Sequence, residues 1–175
     1  MPKELTHWIL AERALAGLEP DNRLHEVIRT HHGLYLAGAV LPDTLLHLAL
    51  GRHASTALAL AHRFHDTDGN SYTPLIRAEE VCGDSLSAPL LACLMGVLSH
   101  MEVDIVFHPF VFALGGTGDI GPHYRMETAL DVHFLVNGVI PPVWRLDALM
   151  TPDIRNELVR ACVLLFDPKG ELLPR

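Results

Sequence analysis

The sequence predicts an all-α fold, a multi-helix bundle in a single domain over residues 1–175, and three observations carry that prediction. Apolar residues recur at helical spacing through most of the chain, runs of alternating β-branched residues are scarce, and prolines fall at the joints between periodic segments. A chain of 175 residues is the size of one domain and can bury a substantial core. Its 49% hydrophobic and 19% charged residues, with only 12 Pro and 13 Gly, exclude a disordered or collagen-like polymer.

Leu5, Trp8, Ile9, Ala11, Leu15 and Leu18 form the apolar stripe of a first helix, which Pro20 ends. Trp8 on that stripe is expected in the core, its indole N–H finding a partner. Asp21 or Asn22 caps a second helix, expected from Arg23 towards Val40, although Gly33 and Gly38 weaken its propensity. Pro42 interrupts at Leu41-Pro42-Asp43, because proline lacks the amide donor and restricts the residue before it. Asp43 therefore belongs at a helix end or on a loop. Short helices are expected over Thr44–Leu50 and Ser55–Arg63, followed by a surface turn at Asp66-Thr67-Asp68-Gly69-Asn70-Ser71.

From Ser85 or Ser87 the main apolar helix runs through His100 and Asp104 towards Phe107 and should stop near Pro109. The glycine-dense stretch from Gly115 to Pro122 has no strand before it, which argues against a dinucleotide- or phosphate-binding loop. A helix from about His123 to Val136 follows. Thr151-Pro152-Asp153 then supply the N-cap and first two positions of a last helix to about Phe166.

Several function classes fall away on composition. The net charge of −8 argues against a general nucleic-acid-binding surface, and no stable nucleic-acid complex is expected, although a small nucleotide substrate stays open. Cys82, Cys93 and Cys162 are odd in number and contain no CxxC pair, so they signal neither a disulfide framework nor a thiolate zinc knuckle. Met1-Pro2-Lys3-Glu4 leads into an amphipathic segment without a cleavage site, so a cytoplasmic location is expected. The apolar run from Ala88 to Leu98 is about half of what a bilayer-spanning helix requires and reads as a buried core helix.

What remains is histidine, whose 12 copies nearly match the 13 Lys plus Arg. His100 and Asp104 stand four apart, His108 lies a further four on, and His123 and Glu127 repeat the spacing. In a helix each such pair puts two metal-ligand side chains on one face. His100 and His108 are separated by roughly 12 Å along a helix axis, too far for one zinc that holds its imidazoles at ~2.0–2.1 Å. At least two metals are therefore expected, with Asp104 placed between them.

These residues, with Thr6-His7-Trp8, Gly38 to Asp43, Ala61 to Asp68 and Tyr72-Thr73-Pro74, resemble the zinc-dependent phospholipase C family. That family is also similar to P1-type nucleases and to the catalytic domain of glycosylphosphatidylinositol-specific phospholipase D. The resemblance runs in order from Thr6 to Asp131. It implies that Asp43, His62, His100 and Asp104 hold one zinc, that His108, His123 and Glu127 hold a second, and that His7 with Asp104 holds a third. Two departures bear on this. The secreted relatives complete the third site with a processed N-terminal Trp, whereas Trp8 here follows His7 inside a helix; and fewer residues precede His108 than in the bacillary enzymes. His65 competes with His62, which is favoured for its spacing to Tyr72-Thr73-Pro74. Asp131, one turn beyond Glu127, is a candidate to hydrogen-bond a ligand histidine or else a surface charge, and His133 is a candidate for the same supporting role. His25, His31, His32, His47 and His53 match no ligand position.

The implied chemistry is phosphoester hydrolysis at two or three Zn2+ ions, manganese or iron being acceptable to the same ligands. Asp43 is expected both to bind metal and to accept a proton from the attacking water. The implied substrate is a phospholipid or other small phosphoester, with transient contact to a membrane surface. A nuclease or 3′-nucleotidase and a non-catalytic metal-stabilised helical module are the rival readings. Because imidazoles coordinate only when neutral, metal affinity and activity should fall below about pH 6.

Overall fold

The computed structural model describes residues 4–44, 54–62, 70–116 and 120–166. Among the described residues there is no strand, and the chain forms helices α1 (Glu4–Ala16), α2 (Arg23–Thr30), α3 (His32–Gly38), α4 (Leu41–Thr44), α5 (Ala54–His62), α6 (Thr73–Cys82), α7 (Ala88–Gly115), α8 (Ile120–Val136) and α9 (Pro152–Phe166). Two 3-10 turns, Gly83–Ser85 and Leu146–Leu149, lie between them.

α7 is the axis of the bundle, touching α1, α2, α3, α4, α8 and α9. Two apolar clusters flank it. One packs Leu90, Leu94, Val97 and Met101 of α7 against Leu164 and Phe166 of α9. The other gathers Trp8, Leu15, Ile28, Tyr35 and Leu36 from the first three helices. By length and composition alone α7 could cross a membrane, but 56% of its most apolar window is buried inside the protein, as in a core helix.

Two expectations are corrected. The helix expected over residues 23–40 breaks at His31, whose backbone (φ −115°, ψ 38°) ends α2 and begins α3. His31 donates its N–H to the Val27 carbonyl while its own carbonyl accepts from Leu34 and Tyr35, so little hydrogen bonding is lost at the bend. α7 does not stop near Pro109 but continues to Gly115, with Pro109 inside. An interior proline costs a helix about 3 kcal/mol, and burial of Val111 and the packing of Phe112 on His108 and His123 offset that cost. α6 was not anticipated; it buries only Pro74 and Ala78, too thin a stripe to announce a helix. Thr44 is the last described residue of α4, and the rest of the helix expected over Thr44–Leu50 lies outside the described residues.

Other boundaries agree with the local signals. Ser87 in extended backbone precedes α7, Asn22 caps α2 by accepting from the Leu24 amide at 2.9 Å, and the Thr151 hydroxyl accepts from the Ile154 amide at the start of α9. α3 and α7 cross at glycines. A Cβ on Gly38 would lie 2.1 Å from the Cys93 carbonyl oxygen, and one on Gly96 would lie 2.0 Å from that of Tyr35. Only two bare backbones fit together so closely.

Candidate metal centre

Four helices bring the polar residues together beside the middle and C-terminal part of α7. α1 supplies His7, the short α4 supplies Asp43, α7 supplies His100, Asp104 and His108, and α8 supplies His123 and Glu127. α1 is fixed by polar ties to α3, since the Trp8 indole N–H donates to the Leu36 carbonyl and the Tyr35 hydroxyl donates to the Ala11 carbonyl, both at 2.9 Å. His7 is thereby carried into the interior at 0% exposure.

The donor atoms fall into two groups. Those of His7, His100 and Asp104 lie within 4.8 Å of one another, as do those of His108, His123 and Glu127. Asp43 joins the first group, with Oδ2 3.7 Å from His7 Nε2 and Oδ1 3.7 Å from His100 Nε2. Asp104 connects the two. Its Oδ2 is 3.3 Å from His100 Nε2, while its Oδ1 is 3.6 Å from His7 Nε2 and 3.8 Å from His108 Nε2. Beyond it His108 Nε2 is 3.6 Å from Glu127 Oε1, and His123 Nε2 is 2.7 Å from the same oxygen.

These separations test whether the residues suit a metal. Neutral N–H···O bonds cluster near 2.9–3.0 Å, whereas two ligands held at ~2.0–2.1 Å by a tetrahedral ion stand about 3.3 Å apart. The contacts around Asp43 and Asp104 follow the second spacing; His123 and Glu127 follow the first. The two ring nitrogens of His7 are buried and make no hydrogen bond among the described residues. Leaving such groups unmet costs ~1–3 kcal/mol, which a bound cation would recover at Nε2. Burial, and after it the stacked His100 ring with centroids 4.0 Å away, lowers the His7 pKa to about 3 and keeps the imidazole neutral. His100 Nδ1 donates to the Ala39 carbonyl at 3.0 Å, which leaves Nε2 as the lone-pair nitrogen facing the carboxylates. The donor set fits zinc.

His7, expected with Asp104 in a third site, stacks on His100 and sets its Nε2 3.6 Å from Asp104 Oδ1. His62 closes α5, and its side chain, like the whole of His65, lies outside the described residues. Among the described residues Asp131 reaches no ligand histidine, and it does not lie at the surface. It is 5% exposed, and its Oδ1 accepts from the Thr6 amide at 2.8 Å and the Thr6 hydroxyl at 2.5 Å. Burial pushes its carboxyl up to about 6 against the pull of those bonds. His133 is exposed and paired with Asn137 just beyond the end of α8, so it does not support the centre. His32 contacts Glu12. Two supporting groups had no signal at the level of spacing: the Ala39 carbonyl, and Thr6 as the partner of a residue 125 positions away. Phe112, four residues after His108, was legible by spacing and packs its ring 5.4 Å from His108 and 5.2 Å from His123.

A family model described as zinc dependent phospholipase C matches residues 6–162. The chain belongs to the zinc-dependent phospholipase C family. No curated protein and no solved structure matches it. The all-helical fold agrees with this family, and the two groups of histidine and carboxylate agree with its dependence on zinc. Membership also supports hydrolase chemistry.

Proposed function

We propose that this member of the zinc-dependent phospholipase C family hydrolyses phosphoesters, with phospholipid as the first substrate class, at a centre of two or three zinc ions. The observation that carries this reading is the double role of Asp104, whose two carboxylate oxygens face the histidines of both groups. His7, Asp43, His100 and Asp104, with His62, are the residues assigned to the first part of the centre, and His108, His123 and Glu127 to the second. Zinc bound there supplies positive charge to phosphoryl oxygens and acidifies water.

The chain's own groups have separable tasks. His100 is oriented by the Ala39 carbonyl, so its Nε2 is held towards the carboxylates without rotation of the ring. Asp43, 3% exposed and set between His7 and His100, is the carboxylate assigned to take the proton of the attacking water. His108 and His123, with side chains 21% and 18% exposed, form the solvent-facing side on which a phosphoester would approach. Val106, Phe110 and Leu114, exposed on the outer half of α7, suit transient contact with a lipid surface.

Elemental analysis of protein purified without chelator or metal-binding tag tests the reading, repeated on His100→Ala and Glu127→Ala. Two or three zinc equivalents, with each substitution removing a different one, support it. Headgroup release from short-chain phosphatidylcholine, set beside hydrolysis of a 3′-nucleotide, then decides the substrate class. A folded protein that holds no zinc overturns the reading.

A further inference from the structure

The proposed chemistry makes no use of Asp131, a buried carboxylate of the kind that is costly unless it is hydrogen-bonded or paired. It lies on α8 one turn beyond Glu127, and its two short bonds come from Thr6, the residue before His7, with the Leu5 amide also pulling on the carboxylate. The Thr6 amide belongs to the first turn of α1, whose N–H groups have no acceptor within the helix. A carboxylate placed there also meets the positive end of the helix dipole, and charge-assisted bonds of this kind are about twice as strong as neutral ones.

The location matters more than the strength. α1 contributes a single residue, His7, to the first group, and its polar ties at Trp8 and Tyr35 both lead to α3. The Thr6–Asp131 tie leads instead to α8, which carries His123 and Glu127 of the second group. We propose that the Asp131–Thr6 clasp is a positioning device that sets His7 of one metal group against Glu127 of the other, so that metal retention by the first group depends on α8. The inference rests on the metal-centre reading given above.

Metal-free full-length chain titrated with zinc against a chromophoric competitor tests it, for the wild type and for Asp131→Ala, Asp131→Asn, Thr6→Val and His7→Ala, with metal-free thermal midpoints recorded alongside. His7→Ala identifies the class of zinc that depends on α1. Asp131→Ala is expected to weaken that same class by about 10–100-fold, the range for loss of a group that orients metal ligands, and to leave the other class unchanged. Asp131→Asn keeps an acceptor oxygen and should retain near wild-type affinity, while Thr6→Val, which loses one of the two bonds, should fall between. Unchanged affinity in Asp131→Ala, or a parallel loss from both classes that tracks a fall in the metal-free midpoint, overturns the clasp. If Asp131→Ala does not fold, Thr6→Val decides by the same criterion. A wild type that binds no zinc is a different result, removing the metal-centre reading and the clasp with it.

Discussion

His7 is one place where the chain gives up stability for its site. Its imidazole is fully buried, neutral and without a hydrogen bond among the described residues. Replacing it by leucine, of similar volume, should raise the thermal midpoint of the metal-free protein by a few degrees, since removing an unmet buried polar group is worth ~1–3 kcal/mol. The same variant should gain less than wild type from added zinc, and melting curves with chelator and with zinc check both halves. Asp131 sets a pH dependence of defined sign. Its carboxyl titrates near 3.8 unfolded and about 6 folded, so between those values the folded chain binds the proton more strongly. Raising the pH through that window should therefore weaken the metal-free wild type relative to Asp131→Asn, with little further change above it. A midpoint difference that stays flat from pH 4 to 7 contradicts this. The ligand candidates on α7 and α8 were legible because helical spacing alone puts them on one face. The tie of Asp131 to Thr6 was not, because the partners lie 125 residues apart and neither residue type is unusual where it stands.

At the scale of elements, the joint between α3 and α7 sets the geometry of the first group. A Cβ on Gly96 would meet the Tyr35 carbonyl oxygen at 2.0 Å and the Ala39 amide nitrogen at 2.8 Å, both backbone atoms that cannot turn aside. Alanine gains about 1 kcal/mol over glycine in helix propensity, but overpacking of this kind costs typically ~1–3 kcal/mol and at times more. Gly96→Ala should therefore destabilise the protein on balance and, by displacing the Ala39 carbonyl from His100 Nδ1, lower zinc affinity as well. Denaturant unfolding and a zinc titration read the two effects. The sequence showed Gly38 only as a weak point in a long helix, and its use in the crossing depends on where α7 passes. Pro109 misled for the converse reason. Its local effect is to stop a helix, and the packing of Val111 and Phe112 that carries α7 onward is a tertiary matter. The start of α9 at Thr151-Pro152-Asp153 needed no such context, because the N-cap and N1 preferences are local.

For the molecule as a whole, the two apolar clusters around α7 draw on helices α1 to α7 and α9 and contain none of the candidate ligands. Chelation should accordingly abolish hydrolysis while leaving the far-UV helical signal largely intact, and zinc should restore activity. Unfolding on chelation would instead favour a module whose fold is held by its ions. Three acidic side chains in the centre, Asp43, Asp104 and Glu127, are almost wholly buried, and together they carry a formal charge of −3 in a chain whose net charge is −8. Two zinc ions bound opposite them would leave the pocket with a surplus of one positive charge, where the carboxylates alone make it negative. The metal therefore decides the sign of the field that an approaching phosphate meets. Loaded protein should draw anionic esters with a rate that falls as salt screens the pocket, and stripped protein should repel them before any bond is at stake.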